Sequence, residues 1–157
     1  MKLTGITPIL NVSDVPAGLA WFERLGWKRG FTYNAGGIIA NAADRNASGP
    51  AGFAGVFCDG AGDTHGCQIF LCHDGQGSRG GPHPRHVTPG ARDDDTGGVW
   101  MSWWLEQPTD VDAVHELALR HEITVTRPPT DEPWGVRECR IVHPDGHTIR
   151  VSAFTRG

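Results

Sequence analysis

Two different rhythms of apolar and polar positions run through this chain, and each occurs twice. Residues 6–27, ITPILNVSDVPAGLAWFERLGW, alternate with a period of two and then switch to helical spacing at Leu19, Phe22 and Leu25. The pattern predicts a strand over Ile6–Val12, then a helix capped by Asp14 with Pro16 in its first turn, ended by Gly26. Residues 99–125, VWMSWWLEQPTDVDAVHELALRHEITV, repeat the order as strand, helix and strand. Here Thr109 and Asp112 have capping-box spacing, and Val111, Val114, Leu117 and Ala118 form the buried stripe. Short strand runs follow each helix, at 28–33, 38–41, 53–58 and 66–72 in the first half and at 121–125, 136–143 and 147–154 in the second.

A long period present only twice indicates a duplicated βαβββ module, because a solenoid needs at least three stacked repeats. The expected fold is α+β: two βαβββ modules forming a cupped mixed sheet with the helices on its outer face. Module one covers about 1–73 and module two about 99–155 of a single domain, as the 157-residue length allows. Two stretches break the rhythm, the Ala/Gly/Asn-rich 34–52 and the aperiodic 74–98. The second reads either as a tether between modules or as a flap whose His83, Arg85 and His86 reach a ligand.

Composition narrows the function. A net charge of −4 leaves no basic footprint for nucleic acid. No apolar run resembles a signal peptide or a membrane span, so the expected location is the cytoplasm. Cys58, Cys67, Cys72 and Cys139 lack zinc or redox spacing and are expected to be reduced and buried. Six tryptophans against one tyrosine supply flat apolar area suited to a pocket or an interface.

Six stretches, TPILNVSDV (7–15), WFERLGWKRGF (21–31), FAGV (53–56), QIFLC (68–72), EPWGVRE (132–138) and HPDGH (143–147), resemble the vicinal oxygen chelate superfamily, the glyoxalase/bleomycin-resistance/dioxygenase group. Within it the chain is most similar to bleomycin-binding resistance proteins, through the WGxRE stretch and FAGV. The resemblance implies a homodimer enclosing paired clefts. Enzymes of the group hold a divalent cation on four strand positions. Combined with strand alternation, these map onto Thr7, Phe70, Trp100 and Arg150, none of which is a ligand for such an ion. His143 and His147 flank a PDG turn, where polar residues are expected in any case.

What remains is an aromatic-walled cup. Alternation turns Trp100, Ser102 and Trp104 to one face of their strand, with Arg150 and Phe70 on the cup face of theirs. The resemblance adds Trp134 as a ligand-stacking loop residue and Phe31 as the aromatic after the first helix. Asn11, Gln68, Ser102, Glu138 and Arg150 are the polar handles, and Glu138 can pair with Arg150 when no ligand is bound. The expected function is metal-independent sequestration of a small aromatic or heteroaromatic molecule, an antibiotic or similar natural product, with no cofactor and no catalytic residue. The alternative is a lyase, isomerase or dioxygenase of the same superfamily.

Overall fold

The computed structural model describes residues 5–34, 37–39, 52–60, 66–73 and 98–155. Most of the two aperiodic stretches, with His83, Arg85 and His86, lies outside the described residues. The chain divides into two units, Met1–Gly77 and Ser78–Gly157, each with its own sheet and helix.

Unit one runs β1 (Ile9–Asn11), α1 (Val15–Arg24), β2 (Lys28–Asn34), β3 (Gly37–Ile39), β4 (Phe53–Phe57) and β5 (Gln68–Cys72). Its sheet order is β1-β5-β4-β2-β3, with β1 parallel to β5 and the other pairs antiparallel. Strand one is shorter than its apolar run predicts: its paired register with β5 opens at Ile9, just after the Pro8 carbonyl accepts from Phe70 N–H at 2.9 Å. Alternation divides the faces as expected. Leu10, Ala54, Val56, Ile69 and Leu71 are all buried, and β4 and β5 pack on α1, whose Leu19 and Phe22 are buried too. The Asp14 side chain caps that helix by accepting from Ala17 N–H at 2.8 Å, and Gly26 ends it at φ +87°.

Unit two runs β6 (Trp100–Trp104), α2 (Pro108–Arg120), β7 (Thr124–Glu132), β8 (Val136–Val142) and β9 (Thr148–Phe154), in the sheet order β6-β9-β8-β7. Again the first strand pairs in parallel with the last. Cys139, Ile141, Ile149, Val151 and Ala153 are fully buried, on strands that α2 contacts. The cap of α2 lies two residues earlier than Thr109–Asp112: Gln107 is the N-cap, and its N–H donates to Asp110 Oδ2 at 3.0 Å. Asp112 is thereby released to hold Arg137, accepting from its Nη2 at 2.8 Å and its Nε at 3.0 Å. Asp131 Oδ1 accepts from Nη1 at 2.8 Å, so this one guanidinium ties α2 to β7 and β8. These two carboxylates raise the Arg137 pKa further above its ordinary value.

The predicted strand at 121–125 in fact runs from Thr124 to Glu132 and includes Pro128 and Pro129. It can do so because β7 is an edge strand whose register shifts twice, which removes the demand for those two N–H groups. No helix among the described residues is long and apolar enough to cross a membrane.

Candidate functional site

The face of the unit-two sheet opposite its apolar layer carries the charges. Register pairs Ser102 with Arg150, Arg150 with Arg140, and Glu138 with Ser152, so all five share one face. Glu138 lies at its centre, 0% exposed, an arrangement tolerable only because cations surround it. Its Oε1 accepts from Arg140 Nε at 3.1 Å and from Arg140 Nη2 at 3.0 Å. Arg150 Nε stands 3.5 Å from the other oxygen, an ion pair longer than a hydrogen bond. Two guanidiniums against one carboxylate leave this cluster with a formal charge of +1.

Four polar atoms of this face are buried without a hydrogen-bond partner among the described residues: Glu138 Oε2, Arg150 Nε, Thr148 Oγ1 and Ser152 Oγ. Such atoms are costly unless something satisfies them. Around them the aromatic walls remain open. Trp100 is 39% exposed and carries the Arg140 guanidinium 5.6 Å above its ring centre. Trp104, 52% exposed, stacks on Phe154 with centroids 4.9 Å apart. Phe154 and Trp134 in turn line an open depression with Asp131 and Glu132. Trp134 sits in the turn after β7 and is 63% exposed.

Of the residues anticipated from sequence, Trp100, Ser102, Trp104, Glu138 and Arg150 therefore lie on one sheet face, and Trp134 at its end. Arg140, which makes the shortest contacts with Glu138, was missed, as was Phe154. The signal was available: Arg140 is two residues from Glu138 in a strand and so shares its face. The WGxRE stretch divides between roles, with Arg137 on the helix side and Glu138 on the open side.

In unit one, Phe31 and Phe70 meet edge to face at 5.3 Å, and Phe53, not anticipated, closes a triangle with centroid distances of 5.6 Å to Phe31 and 5.3 Å to Phe70. Gly55 makes room for it: a Cβ there would stand 2.7 Å from Phe31 Cε1 and 3.3 Å from Phe70 Cδ1. Gln68 is committed to Thr7, donating through Nε2 to Oγ1 at 2.7 Å.

Of the four residues that the resemblance suggested as metal-ligand positions, Thr7 is bonded to Gln68, Phe70 lies in the ring cluster, Trp100 lies beneath Arg140, and Arg150 lies beside Glu138. None of these four side chains is a ligand type for a divalent cation, and on the unit-two face Glu138 is held by Arg140 and Arg150 while Glu132 pairs with Arg127. Among the described residues no three His, Cys, Asp or Glu side chains converge as a metal site.

His143 and His147 do more than border a turn. Both are buried: His147 Nδ1 accepts from Val99 N–H at 3.1 Å, and His143 Nδ1 from Asp145 N–H at 3.1 Å. They fasten the start of β6 to the β8–β9 turn. Burial pushes the His143 pKa down to about 4, against the opposing pull of Asp145. Cys72 and Cys139 are buried as expected, and burial lifts Cys139 to about 12; Cys67, by contrast, is exposed and Cys58 is half-buried.

The family model of the Glyoxalase/Bleomycin resistance protein/Dioxygenase superfamily matches residues 5–151. A comparison with curated protein sequences returns no match. Among solved structures, a glyoxylase/bleomycin resistance protein/dioxygenase domain from Frankia sp. EAN1pec is 19% identical, with a TM-score of 0.64 over 99% of this chain and 96% of that one. TioX from Micromonospora sp. ML1 is 18% identical at a TM-score of 0.60, over 96% of this chain and 99% of its own. A bleomycin-binding protein complexed with bleomycin is 18% identical at a TM-score of 0.53, over 96% and 98%. At these identities the likeness is one of fold.

Proposed function

The chain belongs to the glyoxalase/bleomycin resistance protein/dioxygenase superfamily, and from that premise we propose that it is a metal-independent protein that binds and sequesters a small aromatic or heteroaromatic molecule, an antibiotic or similar natural product. One observation carries the reading. Trp100 and Trp104 stand exposed beside the buried Glu138, whose Oε2, like Arg150 Nε, has no hydrogen-bond partner among the described residues. Apolar walls with a few fixed polar groups are the usual make-up of a small-molecule site. A flat ligand stacks on the tryptophans and offers its polar edge to Arg150 and Ser152. The bleomycin complex of a structural neighbour supports ligand capture as a use of this fold. We place the protein in the cytoplasm as a homodimer, since each unit leaves strand edges that a two-fold partner would cover.

Tryptophan fluorescence titration against a panel of aromatic antibiotics and natural products tests this. Saturable quenching is expected with at least one member, and Trp134→Ala should weaken it about tenfold or more while the fold survives, as befits an exposed turn residue. A panel that produces no saturable quenching would count against the reading.

A further inference from the structure

We propose that Cys58 and Cys67 form a redox-active cross-strand pair that closes to a disulfide when the protein meets a low-molecular-weight disulfide. The geometry comes from the β4–β5 ladder. Phe57 pairs with Gln68, and continuing the same register one step sets Cys58 opposite Cys67. Cys58 N–H donates to the Cys67 carbonyl at 2.9 Å, so the ladder reaches this pair. A hydrogen-bonded opposed pair has Cα atoms about 5.5 Å apart, inside the roughly 4.4–6.8 Å that a disulfide spans. Gly66 keeps the approach tight, since a Cβ there would lie against the Cys58 carbonyl oxygen.

Exposure assigns the roles. Cys67 is open to solvent and Cys58 half-buried, with burial and the neighbouring thiol holding the Cys58 pKa above its ordinary value. The Cys67 thiolate therefore attacks one sulfur of the incoming disulfide RS–SR, forming a mixed disulfide and expelling RS⁻. The Cys58 thiolate then attacks the Cys67 sulfur and expels the second RS⁻. Two protein thiols and one RSSR become one protein disulfide and two RSH, with the protons passing to the leaving thiolates. Cys72 is excluded because it is buried further along β5, and Cys139 because it is fully buried on β8. The joined strands are those that carry Phe53 and Phe70, so oxidation staples the hairpin beneath that aromatic cluster.

The test is to incubate the full-length protein with glutathione disulfide and measure its intact mass, then map the bond after cleavage before Asp59 and Asp63, which separates the two cysteines. The wild type and Cys72→Ser are expected to lose two hydrogen masses through a Cys58–Cys67 link, restored by dithiothreitol. Cys58→Ser should instead stop as a glutathione adduct on Cys67. Circular dichroism confirms that each serine variant is folded. The proposal is overturned if the wild type also stops at the adduct, if both thiols stay free, or if the bond joins Cys72 or a second molecule.

Discussion

Lowering the pH should unfasten the β8–β9 turn through His143. Its imidazole is 2% exposed and its pKa is held near 4, against an ordinary value of 6.5. Well above pH 6.5, by about pH 7.5, the ring is neutral in both folded and unfolded chains and contributes almost no pH dependence. As the pH falls, the unfolded chain takes up a proton that the native side chain refuses, and stability drops until the native ring also protonates near pH 4. At about 1.4 kcal/mol per pH unit the full loss is about 3 kcal/mol, of which about 2 kcal/mol is reached by pH 5. Asp145 Oδ2, 3.5 Å from Nδ1, favours the proton, but burial outweighs it. Urea denaturation from pH 7.5 to 4 measures this when wild type is compared with His143→Asn, whose amide oxygen can still accept from Asp145 N–H. Carboxylate titrations common to both cancel in the difference. A difference that stays flat between pH 6.5 and 4, or an NMR titration of His143 near 6.5 in the native protein, would refute the reasoning.

Two further substitutions probe the sheet faces. Glu138→Ala leaves Arg140 and Arg150 without their buried counter-charge and should cost about 3 kcal/mol in urea unfolding, the low end for a broken buried pair because both guanidiniums reach some solvent. A loss below about 1 kcal/mol would mean that the carboxylate is dispensable to the fold. Gly55→Ala forces the Phe31 ring to swing, costing about 1–2 kcal/mol; an unchanged melting temperature would show that the three rings do not pack as described.

Much of this was readable because strand alternation is a hard constraint. Leu10 and Val12 could only face one way, so Ile9 and Asn11 had to face the other, and the same logic placed Trp100, Ser102 and Trp104 together. The cap of α2 was misplaced because Thr109–Asp112 and Gln107–Asp110 offer equivalent spacings, and only the three-dimensional pull of Arg137 on Asp112 decides between them. The long β7 was hidden by its two prolines, which pattern alone reads as a break and an irregular edge strand accommodates. Arg140 shares a face with Glu138 by strand alternation, but alternation alone does not say that a buried glutamate takes a second cation besides Arg150. The packing of Phe31 on Phe70 likewise depends on Gly55 opening a space that no propensity rule announces.

Titration calorimetry on protein dialysed against a chelator tests the central claim most directly, using a planar aromatic ligand that quenches tryptophan fluorescence. A metal-independent site built from Trp100, Trp104 and the Glu138–Arg150 cluster predicts saturable binding whose affinity is the same before and after metal removal. Binding that vanishes on chelation and returns with a stoichiometric divalent cation would contradict the account.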